Sequence, residues 1–367
     1  MIYAPIIHFF IYFSNKCLFS TILTTLKMGE IMKYKKFSSI QILLTLFLVK
    51  FYLNHIIIAP YFYELYSKTS FIILCIIFLI QPFELIFIYK LFNKNYKVSK
   101  SNNIFIFIYS RITSSLIILS LFYFLDVYIY NVDNIYLILL AIMLPIIYLN
   151  KFTNDIIIRL TPFFFIFTIL LVSFFFFSIK DPSLFTLIPN SKINNIPILI
   201  ILIINITFPY VLFPYLKDLS NSKFKLKDIL LFGIIFTILN IFITIREGLS
   251  LGILITNINF PQYEILRFLS ITTYSLPLDI IFIIYLFFFS FYTLSIINNH
   301  LYHSLNINNF HLKNIITVIP FILSIILINN FKLFNMIKYD LIVISSFCLV
   351  YIFLSTLINY IRSNQNE

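Results

Sequence analysis

The chain has 367 residues, of which 61% are hydrophobic and only 11% charged, with a mean hydropathy of +0.99. That balance excludes a soluble globular enzyme, and no polar gap is long enough to hold an appended catalytic domain. The net charge of +12 does not point to nucleic acid, because the lysines fall in short clusters between apolar stretches.

About ten apolar stretches follow one another, near residues 42–60, 69–92, 104–124, 135–149, 156–179, 196–216, 228–246, 276–298, 313–330 and 338–361. Most are close to the roughly 20 residues that a helix needs to cross a hydrocarbon core about 30 Å thick. In lipid every backbone polar group must pair within its own segment, so helices are the natural form. The expected fold is an all-α integral membrane protein with about ten transmembrane helices, residues 32–367 forming one polytopic domain.

Residues 1–31 stand apart. Ile2–Leu26 is apolar but interrupted by Lys16. It reads either as an extra span or signal-like segment, or as translated upstream DNA. The second is the preferred reading, because Gly29-Glu30-Ile31-Met32 can be encoded by a ribosome-binding sequence followed by a start codon. Translation is then expected to begin at Met32.

The lysines set the orientation. Lys33, Lys35 and Lys36 precede the first span; Lys90, Lys94, Lys97 and Lys100 share one loop; Lys217, Lys223, Lys225 and Lys227 share another. These clusters are separated by even numbers of spans. The intervening loop carries Asp126 and Asp133 and no Lys or Arg. By the positive-inside rule both termini and the lysine-rich loops are expected in the cytoplasm. The longest outer break, 247–275, is expected to contain a short interfacial helix after Pro261.

Chemistry-bearing motifs are sparse. A glycine-rich phosphate loop is missing from the sequence, so ATP-driven transport by this chain alone is not expected. Cys17, Cys75 and Cys348 have no metal spacing and read as small buried hydrophobes. His300, His303 and His311 read as solvated residues flanking a cytoplasmic loop rather than as metal ligands. Neither a metal nor another cofactor is expected.

Ionisable groups inside a bilayer carry an insertion penalty of roughly 2.5–3.5 kcal/mol each, so each calls for a partner or a cavity. The first span carries Lys50, Asn54 and His55, the second Gln81 and Glu84, the third Ser110, Arg111, Ser114 and Ser115, and the sixth Asn205 and Thr207 before Pro209 and Pro214. Lys50 with Glu84, or Glu84 with Arg111, reads as a buried ion pair that fixes helix packing. The polar groups of spans one, two, three and six together read as a cavity lining.

The second half has an ordered set of features: Phe213-Pro214-Tyr215-Leu216-Lys217 closing the sixth span, Phe260-Pro261, then Ile265-Leu266-Arg267, Ile271, and Asp279 at the start of the eighth span. Lys36-Phe37-Ser38-Ser39-Ile40-Gln41 leads into a first span ending at Pro60. This order and spacing resemble the spore germination permeases, the B-type subunits of nutrient germinant receptors, over roughly residues 33–361. The resemblance implies a fold of the amino acid–polyamine–organocation transporter type. That is a LeuT-like inverted repeat of five plus five helices, with spans one and six broken around a midplane site.

It also implies sensing, with or without transport, of an amino acid or similar small nutrient in the spore inner membrane, and no covalent chemistry. The implied partners are an A-type membrane subunit, a C-type lipoprotein and membrane lipid. Asn54, His55, Asn205 and Thr207 are the expected hydrogen-bonding ligand contacts, and Arg111 the partner of an anionic group; Asp279 has a structural place. The chain departs from the family pattern in having no glycine in spans one or six. The alternative is a polytopic polysaccharide polymerase or flippase-like protein, for which Arg246, Glu247, Glu264 and Arg267 would be the outer-loop residues.

Overall fold

A computed structural model describes residues 37–93, 100–128, 135–151, 154–177, 181–190, 195–207, 211–220, 224–273, 278–329 and 331–365. The expectations for residues 1–31, and for Lys33, Lys35, Lys36, Lys94, Lys97, Asp133 and Lys223, lie outside the described residues. The protein is all-α, and the described residues contain no β-strand, only the isolated bridges Phe37–Ser220 and Ser67–Asn190.

The helices in chain order are α1 Ser39–Tyr52, a π-helical segment Leu53–Ile58, α2 Ala59–Asn93, α3 Lys100–Tyr128, α4 Ile135–Leu149, α5 Asn154–Arg159, α6 Thr161–Phe174, α7 Pro182–Thr186 and α8 Ile196–Thr207. They continue with α9 Leu212–Asp218, α10 Leu226–Leu251, α11 Pro261–Thr273, α12 Leu278–Ser304, α13 Phe310–Asn329 and α14 Phe331–Gln365. Short 3-10 segments follow α6 (Phe175–Phe177) and α10 (Gly252–Asn257). By length and apolar composition six of the described helical runs are able to cross a membrane: Ser39–Leu91, Asn102–Tyr128, Leu226–Asn257, Leu278–Ser304, Phe310–Ile328 and Tyr339–Asn359. Ile138–Leu149, Thr161–Phe174 and Ile196–Ile206 are shorter apolar helices. This is the fold of an integral membrane protein.

The run Ser39–Leu91 has 53 residues, which would be about 80 Å long as one helix, far beyond one bilayer crossing. It is folded double at Ser67, whose φ of 42° and ψ of −122° break the helix. Contacts on either side are nearly symmetrical about that residue. The Tyr63 ring meets Phe71 (5.1 Å), the His55 ring meets Phe78 (5.7 Å), and Lys50 meets Glu84 (3.8 Å). A chain that pairs with itself in this way is an antiparallel helical hairpin whose turn is almost a single residue.

The outer arm of the hairpin exposes Ile72, Ile76, Leu79, Ile80, Phe83 and Phe87 while burying Leu74, Ile77, Phe78, Leu85 and Ile88. Exposed aliphatic and aromatic faces of this size mark contact with membrane or protein, and on a helix this long and apolar they fit hydrocarbon.

Helices far apart in sequence pair in consistent directions. The outer arm of α2 runs antiparallel to α10, its most extensive partner: Pro82 lies against Gly233, the Phe78 carbonyl accepts from Thr237 (2.8 Å), and Phe71 lies against Gly248. Helix α3 runs antiparallel to α12, with Arg111 on Asn298 (2.6 Å) and Phe124 near Phe282. It runs parallel to α13, with Arg111 Nη1 donating to the Ile316 carbonyl and Ser115 to the Pro320 carbonyl. Helix α4 packs on α13.

Polar groups lock these seams. Hydroxyls pair in a line between α1, α6 and α12: Thr45 with Thr161 (2.9 Å), Thr161 with Tyr292 (2.8 Å), Tyr52 with Ser290 (2.7 Å) and Thr168 with Tyr285 (2.9 Å). The Arg246 guanidinium caps the end of α6 by donating to the Phe175 and Phe176 carbonyls, orphan acceptors that a helix end leaves. Outside the apolar segments Asp181 caps α7, accepting from the Ser183 N–H at 2.9 Å. Hydrogen bonds from the Ser183 hydroxyl and amide hold its carboxyl below the usual carboxylate range.

A helix does begin at Pro261, where the sequence placed one. His300 is a correction: α12 continues to Ser304, so His300 is buried with its ring 5.5 Å from Tyr215, while His303 and His311 are exposed. Cys348 is buried, and Cys75 half-buried.

Candidate functional site

The first span abandons α-helical bonding where its polar residues sit. Three consecutive β-branched residues, Ile56, Ile57 and Ile58, crowd the preceding turn, and the backbone widens into the π-segment, with the Ala59 N–H bonded to the Asn54 carbonyl. Such bulges frequently mark functional sites in helices. The widened turn lets the His55 carbonyl accept from the Gln262 side chain on α11 at 3.3 Å.

Around that carbonyl lies a buried polar cluster drawn from four elements. His55 Nε2 is 2.6 Å from Asn240 Oδ1 on α10. Glu247, two turns further along the same face of α10, is completely buried. Its Oε2 accepts from the Tyr63 hydroxyl at 2.5 Å, and its Oε1 accepts from the Gln262 amide. His55 Nδ1 is 3.9 Å from Glu247 Oε1. Asn54 and Gln81 are also fully buried, and neither amide has a hydrogen-bond partner among the described residues. Buried amides of this kind carry a penalty of roughly 1–3 kcal/mol each by protein mutational data. One turn before Asn54, Lys50 is 1% exposed and pairs with Glu84 at 3.8 Å. It borders a shallow apolar groove lined by Leu43, Leu46, Phe47, Leu85, Phe232 and Phe236.

The residues expected from the sequence do not all converge here. Asn54 and His55 lie in the π-segment, and the Lys50–Glu84 pair forms beside it. The Glu84–Arg111 pair does not form: Arg111, 3% exposed, is directed instead to Asn298 and the Ile316 carbonyl, because α3 faces α12 and α13 at that level. Next to it Tyr302, Asn150, Asn314 and Thr317 bond the ends of α4, α12 and α13 to one another.

Asn205 is buried and bonded at both ends: its oxygen accepts from Ser345 (2.7 Å), and its nitrogen donates to the Ile201 and Ile342 carbonyls and to Ser346. It joins α8 to α14. Asn205→Ala is therefore expected to remove about 1–2 kcal/mol of stability, at about 0.6 kcal/mol per interhelical contact, read as a lower yield of folded protein in detergent. Thr207 ends α8, and its side chain is outside the described residues. Asp279 is part-buried in the first turn of α12, where a carboxylate complements the helix dipole.

Glu247, Asn240, Tyr63 and Gln262 were missed as site residues. Thr237, Asn240, Thr244 and Glu247 recur at helical spacing on one face of α10, a polar stripe readable in the sequence. Ending the seventh span at residue 246 assigned Glu247 to an outer loop instead. No protein-family model matches the chain, and no curated protein matches it.

Proposed function

We propose that this chain is the permease-like membrane subunit of a spore germinant receptor, sensing a small nutrient such as an amino acid, with an A-type membrane subunit and a C-type lipoprotein as partners. The observation that carries the reading is the interruption of the first span by a π-helical segment where its polar residues sit. That π-segment packs against α8, a described helix of the sixth span.

The rest of the architecture supports it. Counting the two arms of the hairpin separately and adding the three shorter apolar helices gives ten segments among the described residues. The second segment packs antiparallel against the seventh, and the third against the eighth; the proposed arrangement is an inverted five-plus-five repeat. Ligand would be held at the interrupted first span by Asn54, whose buried amide has no hydrogen-bond partner among the described residues and faces protein rather than lipid. Arg246 and Glu247 are buried and bonded to groups on other helices, and Arg267 is paired with Glu264 at 3.7 Å. They do not form the open outer array that the polymerase reading needs.

Deletion of the gene in its spore-forming host, followed by germination tests across a nutrient panel, checks the proposal. Loss of the response to one nutrient, restored by the intact gene, is expected. Unchanged germination to every nutrient, with an altered surface polysaccharide, would contradict it.

A further inference from the structure

Two titratable side chains face each other on the seam between the π-segment and α10. His55 Nδ1 lies 3.9 Å from Glu247 Oε1, and both residues are fully buried. The bonds on either side fix their roles. Asn240 donates its amide nitrogen to the Phe236 carbonyl at 2.9 Å, so its oxygen is the atom turned to His55, and it accepts from Nε2. A neutral imidazole has one N–H. With that hydrogen on Nε2, Nδ1 is a lone pair aimed at Glu247, and it has no hydrogen-bond partner among the described residues. Glu247 accepts from Tyr63 and Gln262, which leaves capacity for a further donor on a group with about four lone-pair sites. A lone pair and a carboxylate oxygen repel each other. One proton on either atom converts the approach into a charge-assisted or neutral hydrogen bond, which closes to about 2.8 Å.

The other charges nearby are committed elsewhere. Lys50 pairs with Glu84, Arg246 turns away to the Phe175 and Phe176 carbonyls, Glu264 pairs with Arg267, and Asp181 caps α7. Tyr63, with Cys75 near it, is the titratable group of α2 that faces Glu247. The His55 ring also lies against the rings of Phe51 (5.0 Å) and Phe78 (5.7 Å).

We propose that His55 and Glu247 form a proton-binding site that takes one proton per chain from bulk water and holds it between Nδ1 and Oε1. The loaded pair is neutral overall and joins the first span to α10. The unloaded pair places a bare carboxylate against a lone pair and favours separation of the two elements. Proton occupancy is thereby linked to movement of the first span against α10, whether or not the chain responds to a nutrient.

The test is pH-difference infrared spectroscopy of the purified full-length chain in lipid nanodiscs, from about pH 4 to about pH 10. Helical content of each variant is checked by circular dichroism. The wild-type chain should show a titrating carboxyl band that is absent in Glu247→Gln and displaced in frequency in His55→Gln. Tyr63→Phe keeps both members of the pair but removes one donor to the carboxylate, and should move the midpoint by about one pH unit; this variant decides the matter where Glu247→Gln does not fold. A spectrum of Glu247→Gln identical to wild type, or a band unmoved in both His55→Gln and Tyr63→Phe, would overturn the proposal.

Discussion

Replacing Lys50 alone with methionine is expected to destabilise the protein by about 3 kcal/mol, and adding Glu84→Leu to the same chain is expected to recover most of that loss. Breaking a buried ion pair from one side typically costs about 3–5 kcal/mol, whereas replacing both members by apolar groups is often neutral or stabilising. The low end applies because Glu84 keeps 21% of its side chain exposed while Lys50 keeps 1%. The Lys50 ammonium also lies 5.7 Å from the centre of the Phe236 ring, a contact that methionine partly replaces by packing. Thermal midpoints of detergent-solubilised single and double variants, followed by size-exclusion chromatography, give the comparison. A double variant no more stable than Lys50→Met would show that the pair does not set the stability of this hairpin.

The second large effect is expected at the glycines of α10. Gly233 and Gly248, and Gly252 just past its end, each sit where a methyl group would meet a neighbour at 3.0 Å or less. The neighbours are the Pro82 backbone for Gly233, the Phe71 ring for Gly248 and the Leu184 carbonyl for Gly252. Glycine to alanine inside a helix ordinarily stabilises by about 1 kcal/mol. Here the sign is expected to reverse. Gly233→Ala should destabilise, since a backbone neighbour cannot move aside and overpacking costs about 1–3 kcal/mol. Gly252→Ala should be worse, because its φ of +54° adds strain of about 1–3 kcal/mol to the clash. Thermal midpoints of the two alanine variants check this; a rise for Gly233→Ala would mean that the seam between α2 and α10 is looser than described, and a rise for Gly252→Ala that its contact with α7 is.

These glycines show what the sequence conceals. In a chain with 4 glycines, their absence from the first and sixth spans is easily seen, but their concentration on α10 has meaning only once the opposite helix is known. Helix class and most span positions were legible, because a run of about 20 apolar residues has few other uses. The hairpin at Ser67 was legible only as a boundary, since no glycine or proline marks the break.

The site was half legible. Asn54 and His55 stood out as polar residues in an apolar run, and the Lys50–Glu84 pair followed from charge alone. Their partners Asn240 and Glu247 did not, because Glu247 lay beyond the assumed end of its span and its burial depends on Tyr63 and Gln262 reaching it from other helices. Asn205 and Arg111 stood out in the sequence as ligand contacts, but depth and polarity do not distinguish a ligand from a neighbouring helix. For both residues the partner is a neighbouring helix.

The central claim is that nutrient is sensed at the widened turn of the first span. The direct measurement is the half-maximal germinant concentration of spores carrying Asn54→Ala, with Asn205→Ala as the comparison and protein abundance measured in both. Asn54→Ala at normal abundance should raise that concentration about tenfold, as loss of roughly 1.4 kcal/mol of binding requires. Asn205→Ala should lower abundance and leave the concentration unchanged. Wild-type sensitivity in Asn54→Ala spores at normal abundance, with a shifted response in Asn205→Ala, would place the site elsewhere.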